Sequence, residues 1–283
     1  MKLSNYFKKA QKEGWAIGQF NFTTDEQLKG IVAAAQKLNS PIILGTSEGE
    51  SRFLGLKKIK VLVDAFREES GISIFLNLDH GKDLDYIKEA IKIGYDCVHF
   101  DGSGLCLEEN IKLTKEIVRL ASKKSILVEG EVGIIGGSSQ LHHQKAVIEK
   151  ECLSSVFEAQ RFAKETKVNS LAVAIGNIHG IYQKMPKLDI ERLKEINQAT
   201  NAILVLHGGS GLSQKEIKSA IKNGIVKINI NTELRLAWRK NLEDILKKDK
   251  EEIKPYKILI PLSEKIQEVV EDKIKLFGSE NKA

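Results

Sequence analysis

The chain has 283 residues, 42% of them apolar and 29% charged, and a net charge of +6. That composition excludes a disordered chain, and the length fits either two ordinary domains or one α/β barrel of about 250 residues. No apolar run approaches the roughly 18 residues needed to span a bilayer, and Lys8, Lys9, Lys12 and Glu13 stand where an export signal would need an apolar core.

Three cysteines with no CxxC pair (Cys97, Cys106, Cys152) point to a reducing, cytoplasmic setting. The positive charge is interleaved with negative charge, as in Lys247, Lys248, Asp249, Lys250, Glu251 and Glu252, which reads as a solvated face. No aromatic residues alternate with the basic ones, so neither a nucleic-acid partner nor a membrane partner is expected. Only 4 prolines occur and no Ser- or Pro-rich linker divides the chain, which favours one domain over residues 1–283.

In chain order, an amphipathic segment at Leu3–Glu13 leads into an apolar run, Ala16–Asn21. Thr24 with Gln27 forms a capping-box signal, and Leu28, Ile31, Val32, Ala35 and Leu38 make the helix stripe behind it. The run Pro41–Ser47 precedes a helical pattern at Lys57–Glu69, and Ile72–Leu78 precedes another at Leu84–Ile93. Asp96–Asp101 precedes Glu108–Ser122, and Ser125–Glu131 is followed by a Gly-rich polar stretch, Gly133–Cys152, before the helix Ser154–Thr166. Then Ser170–Gly176 pairs with Ile190–Ala199, and Ala202–His207 with a helix opened by Ser213 and Glu216, another capping box, and carrying Ile217 and Ile221. Ile225–Ile230 precedes Glu233–Leu246, and Leu262–Leu276 closes the chain.

The eight short runs are continuously apolar, as parallel strands buried on both faces require, and each is followed by a helix. Eight such units predict a closed (β/α)8 barrel. An open doubly wound sheet is the alternative, but no GxGxxG follows the first strand. The longest spacing falls at Gly133–Cys152, which reads as a lid or catalytic loop.

Barrel chemistry gathers at the C-terminal ends of the strands. Those ends carry Asn21; Thr46, Ser47 and Glu48; Asp79 and His80; Asp101; Glu129 and Glu131; Asn177 and His179; His207 to Gly211; and Asn229, Asn231 and Thr232. Three of the 6 histidines, His80, His179 and His207, fall on this rim. Three imidazoles with an open position suit a catalytic Zn2+. His99, within the fourth strand, reads as a packed histidine. Gly208, Gly209, Ser210 and Gly211 lead into a helix near Ser213, an arrangement of backbone N–H groups that suits a phosphate, with Asn229, Asn231 and Thr232 adding donors. These residues together predict a metal-dependent barrel enzyme acting on a phosphorylated small molecule. A Schiff-base mechanism through Lys227 is the weaker alternative, because it leaves the histidines without a role.

The motifs FLNLDHG (75–81), LVEGEVGIIGG (127–137), GNIHG (176–180), VLHGGSG (205–211) and KININ with Thr232 and Glu233 resemble those of the class II, zinc-dependent fructose-bisphosphate and tagatose-bisphosphate aldolases. The resemblance runs from about Ala16 to the last helix. It implies that His80, His179 and His207 hold Zn2+, with Asp101 and Glu131 lining a second or transient metal position. It implies that Gly180, Gly208, Gly209, Ser210, Asn229, Ile230, Asn231 and Thr232 bind dihydroxyacetone phosphate, beside a monovalent cation, Na+ or K+. Asp79 then exchanges a proton with the C4 hydroxyl, and Asn21 and Ser47 touch the sugar chain. The implied reaction is reversible cleavage of fructose 1,6-bisphosphate to dihydroxyacetone phosphate and glyceraldehyde 3-phosphate, a glycolytic step, by a homodimer or homotetramer. Tagatose 1,6-bisphosphate or another ketose phosphate is the alternative substrate, and a non-catalytic zinc barrel that binds sugar phosphate is the alternative function.

Two positions depart from the family pattern. Asn77 stands where His-x-Asp-His would begin. Ser139 stands where the loop after Glu131 would carry a proton-moving glutamate, and serine has no useful basicity near neutral pH. His142, His143 or Glu149 on the same loop is the expected substitute. Ser47, Glu48, Arg52, Lys184 and Arg235 are the candidates for a distal phosphate.

Overall fold

The computed structural model describes residues 1–283. In chain order, α1 (Leu3–Glu13) precedes β1 (Ile17–Asn21), α2 (Asp25–Lys37), β2 (Ile42–Ser47), α3 (Glu48–Leu54), α4 (Leu56–Ser70), β3 (Ile74–Gly81), α5 (Leu84–Ile93), β4 (Cys97–Phe100), α6 (Leu107–Ser122) and β5 (Leu127–Val132). Then come β6 (Gly137–Lys145), a 3-10 turn at Lys150–Cys152, α7 (Val156–Thr166), β7 (Ser170–Val173), β8 (His179–Lys184) and α8 (Ile190–Ala199). The chain ends with β9 (Ile203–Leu206), α9 (Gln214–Lys222), β10 (Ile225–Ile230), α10 (Thr232–Lys248) and α11 (Pro255–Phe277).

Eight strands close a parallel barrel in the order β1, β10, β9, β7, β5, β4, β3, β2. This is the (β/α)8 architecture that the eight apolar runs predict. Helices cover the outside, joined to the strands by one continuous apolar layer that includes Leu28, Ile31, Phe100, Phe162, Leu204 and Ile266. At the N-terminal end, Leu3, Tyr6, Phe7 and Ala10 of α1 pack on Ile17, Ile43, Phe75, Cys97 and Val226, so that end is plugged by apolar side chains and the opposite mouth is left for chemistry.

Three expectations are corrected. The stretch Gly133–Cys152 is not a plain loop. Its middle is β6, which pairs in parallel with β8 as a two-stranded ribbon outside the barrel, Leu141 opposite Ile181 and His142 opposite Tyr182. The ribbon satisfies backbone groups that a long excursion would otherwise leave to water. The helix α3 is absent from the sequence reading; Ser47 and Glu50 start it with a reciprocal capping box. At α9 the Ser213 hydroxyl does accept from Glu216 N at 3.3 Å, but the Glu216 carboxylate takes Leu188 N at 3.0 Å, so the box is only half formed.

The last helix lies against α2 at Gly30, where an added Cβ would stand 2.4 Å from the Ser263 carbonyl oxygen and 2.8 Å from Ile266 Cβ. Alanine would gain about 1 kcal/mol in helix propensity, but the clash is with backbone, which cannot swing aside. Overpacking of this kind costs about 1–3 kcal/mol. Gly30→Ala is therefore expected to lower the denaturant midpoint, and an unchanged or raised midpoint would show that the two helices can part without loss.

Candidate active site at the barrel mouth

Strand periodicity decides what faces the barrel axis: residues two apart share a face. Gln19 and Asn21, Asn77 and Asp79, His99 and Asp101, Glu129 and Glu131, and Lys227 and Asn229 are such pairs, and the first member of each is at most 1% exposed. The deeper residues form a floor and the shallower ones the site. Asn77 donates to Gln19 Oε1 at 2.8 Å and Gln19 donates to Asn21 Oδ1 at 3.1 Å. The residue that departs from the family pattern thus supports Asn21 from below.

His80 is the hub. Its Nε2 lies 3.1 Å from His179 Nε2 and 2.8 Å from His207 Nδ1, and its Nδ1 lies 3.2 Å from Asp101 Oδ2. Glu131 Oε2 stands 3.9 Å from the same Nδ1. The residue has φ +48°, a left-handed conformation that bulky side chains rarely adopt, and it tips the ring over the mouth just as β3 ends. His207 is held from behind: its Nε2 meets Glu129 Oε1 at 2.8 Å, while Glu129 Oε2 accepts from Lys227 Nζ at 2.7 Å. A carboxylate on the far nitrogen fixes an imidazole's tautomer and aims its other nitrogen at an ion.

The electrostatics follow from burial and neighbours. Burial beside His80 and His207 pushes the His179 pKa down to about 4. Burial and His80 also lower that of His207. Burial opposes protonation of His80 and His99, yet the surrounding carboxylates, Asp79 foremost, raise both, His99 to about 10. Asp79 is ionised well into acid: burial disfavours its charge, but His80, His99, His207 and Lys227 outweigh that.

The residues present fit a divalent ion. Ring nitrogens of His80, His179 and His207 converge, as ligands around one divalent ion would. In addition, Glu131 Oε2 and His99 Nε2 are buried with no hydrogen bond that satisfies either, and they face each other at 3.4 Å. The possible ligand atoms that lie within 4.8 Å of one another fall into two groups sharing His80: Asp79, His80, His99 and His207, and His80, Asp101 and Glu131. His179 joins them through His80. Sequence reasoning assigned His99 to packing. It is indeed fully buried, but its ring stands 4.8 Å from His80 and 4.9 Å from His207, inside the cluster.

A cavity of about 170 Å3 opens over the histidines, lined by Asn21, Ser47, Asp79, Asn229, Asn231 and Arg235 among others. On one side Gly180, Gly208, Ser210 and Thr232 contribute to its wall. Gly208 has φ +62°, and a Cβ there would lie 2.4 Å from the Ile178 carbonyl oxygen, so only glycine lets this turn approach. Glu233 fastens the turn by accepting from Gly211 N at 2.8 Å, and Lys273 of α11 pairs with Glu233. Gly209 and Ile230 pack behind the wall, where a Cβ on Gly209 would meet Ile228, Asn229 and Ile230.

Other expected residues are not brought in. His143 and Glu149 are exposed. His142 stacks on Tyr182, ring centroids 4.1 Å apart, with Nε2 3.0 Å from the Ser138 carbonyl oxygen, because β6 lies along β8 and turns it behind Gly180. Ser139 is the loop residue that reaches the cavity. Of the distal-phosphate candidates, Ser47 and Arg235 line the cavity; Glu48 and Arg52 pair with each other at 2.9 Å, Arg52 also with Asp83, and Lys184 is exposed.

A plugged parallel barrel whose open mouth gathers imidazoles, carboxylates and a glycine-rich turn has the layout of a (β/α)8 barrel enzyme. The chain belongs to the class-II fructose-bisphosphate aldolase family, which matches residues 1–282. It is 39% identical over 277 residues to a fructose-bisphosphate aldolase of Staphylococcus aureus, covering 97% of this chain and 96% of that one. It is 38% identical over 275 residues to a sulfofructosephosphate aldolase of Alkalicoccus urumqiensis, covering 97% and 95%. The crystal structure of the YdjI aldolase from Escherichia coli K12 superposes with a TM-score of 0.85 at 30% identity, covering 100% of this chain and 98% of that one. The fructose-bisphosphate aldolase of Campylobacter jejuni shares the fold, with a TM-score of 0.82 at 22% identity over 99% and 95% of the two chains. No helix is long and apolar enough to cross a membrane.

Proposed function

We propose that the protein is a zinc-dependent lyase that reversibly cleaves the C3–C4 bond of a ketose phosphate, giving dihydroxyacetone phosphate and an aldehyde. Fructose 1,6-bisphosphate and tagatose 1,6-bisphosphate are the candidates that the resemblance supplies, the former named for a relative. The observation that carries the reading is the meeting of His80, His179 and His207 beside Asp79 and within one cavity of the Gly208–Gly211 turn.

In this proposal the three imidazoles hold Zn2+, which when bound supplies Lewis-acid polarisation of the C2 ketone. Gly180, Gly208, Gly209, Ser210 and Thr232 surround the phosphate of the dihydroxyacetone half, with a monovalent cation beside it, and the N-terminus of α10 adds its dipole. Asp79 is the one carboxylate among the cavity-lining residues, and Asn21 and Asn229 each donate to it at 3.0 Å. So aimed, it takes the proton of the C4 hydroxyl as C3–C4 breaks. C4 becomes the aldehyde carbon, the electron pair of the broken bond stays with the C2–C3 unit, and a proton from solvent added at C3 completes dihydroxyacetone phosphate.

The zinc-loaded protein is expected to release dihydroxyacetone phosphate from a ketose phosphate and to exchange the C3 proton of dihydroxyacetone phosphate with solvent. Chelation is expected to abolish both activities, and added Zn2+ to restore them. Tight sugar-phosphate binding without exchange or turnover would overturn the enzyme reading in favour of a binding barrel.

A further inference from the structure

Elsewhere on the same cavity, the ends of β1 and β2 and the first turns of α10 meet around one carboxylate that the sequence reading passed over. Glu50 is 7% exposed. Its Oε2 accepts from Ser47 N at 2.7 Å and Asn21 Nδ2 at 3.1 Å, and its Oε1 accepts from Asn231 Nδ2 at 3.1 Å and Arg235 at 2.5 Å. Each of those four donor residues lines the cavity. Arg235 is the one Arg or Lys that does so, and its other terminal nitrogen donates to the Ser139 carbonyl oxygen at 3.0 Å.

A phosphate at neutral pH carries a charge near −2 and accepts through three oxygens. To sit in this corner it would need Arg235, the two amides and the Ser47 N–H, all of which are engaged by Glu50, and it would face a buried carboxylate of like sign. Coulomb repulsion and the loss of donors act in the same direction. An aldehyde with a hydroxyl-bearing, uncharged tail meets neither obstacle.

We infer that Glu50 is a specificity-setting positioning residue: it holds the aldehyde end of the site for an uncharged polyhydroxy tail and against a second phosphate. The inference rests on the dihydroxyacetone phosphate reading above and narrows it, moving the preferred substrate from a ketose bisphosphate toward a ketose phosphorylated only at the dihydroxyacetone end. Two relatives of near-equal identity bear different substrate names, so identity at this level does not settle what the aldehyde end accepts.

The test runs in the condensation direction, with dihydroxyacetone phosphate and either D-glyceraldehyde or D-glyceraldehyde 3-phosphate. The unaltered protein is expected to show the higher kcat/KM with D-glyceraldehyde. Glu50→Gln, nearly the same shape without the charge, is expected to move the ratio toward the phosphorylated aldehyde by about tenfold, equivalent to about 1.4 kcal/mol. Adding Arg235→Gln to that variant should give the gain back. A higher native kcat/KM with the phosphorylated aldehyde, or an unmoved ratio in Glu50→Gln, would overturn the inference; the first comparison needs no variant to fold. Proton exchange on dihydroxyacetone phosphate alone, measured alongside, reports on the underlying aldolase reading separately, because it needs no aldehyde.

Discussion

His80→Asn is expected to remove most of the bound zinc and to lower kcat/KM by about 1,000-fold or more, a loss of about 4 kcal/mol in transition-state stabilisation. Asparagine is the chosen replacement because the residue sits at φ +48°, where Asn is tolerated and Ala is not. The backbone turn at the end of β3 should survive, so the loss isolates the imidazole. His80 is the ring that touches both of the others, and its removal leaves His179 and His207 with ring centroids 6.1 Å apart and no imidazole that touches both. Zinc content by atomic absorption, read against activity, checks the prediction. Native turnover in a zinc-free His80→Asn variant would disprove the role given to all three histidines.

The second large effect is on stability. Lys227 and Glu129 form an ion pair inside the barrel, 1% and 0% exposed. Lys227→Met keeps the volume and removes the charge, and leaves a buried carboxylate without its cation. The expected cost is about 3–5 kcal/mol, seen as a fall in the urea midpoint. Burial is the largest influence on Glu129, and in the native protein Lys227 and His207 overcome it and keep its pKa below the usual range. Without Lys227 that pKa rises above its unfolded value, so the penalty is fully present at neutral pH and shrinks as the pH falls and the carboxylate takes a proton. Changing both partners, Lys227→Met with Glu129→Gln, should return most of the stability while weakening zinc binding by about 10–100-fold, because His207 loses its anionic support. Equal stability of the single and double variants would show that the pair is not electrostatically coupled.

The fold was legible because both faces of every barrel strand are buried, so the strands read as unbroken apolar runs. The rim was legible for the same reason inverted: polar residues such as Asp79, His80 and His207 end those runs with no packing role to explain them. The residues just below were read only one at a time: Glu129 with the rim, Lys227 for a Schiff base and His99 for packing. His99, Glu129 and Lys227 each lie two positions before a rim residue on their own strand, and that parity was the available signal. Glu50 was hidden differently. A Glu three residues after Ser47 is the ordinary capping signature of a helix, and Glu50 does cap α3; only the approach of Arg235 from 185 residues along the chain turns the same carboxylate toward specificity. The ribbon of β6 and β8 could not be read at all, since neither strand is apolar and their pairing depends on where the barrel places them.

That ribbon has one further consequence. Its register sets Gly137 beside His179, with His179 N donating to the Gly136 carbonyl oxygen at 2.9 Å, so the first residue of β8 is at once the root of the flap and a member of the histidine cluster. Displacing the ribbon would therefore act on that ring. The rate at which a bound ion escapes to a competing chelator is therefore expected to depend on how firmly the ribbon is held, which ties metal exchange to a segment that carries no chromophore of its own.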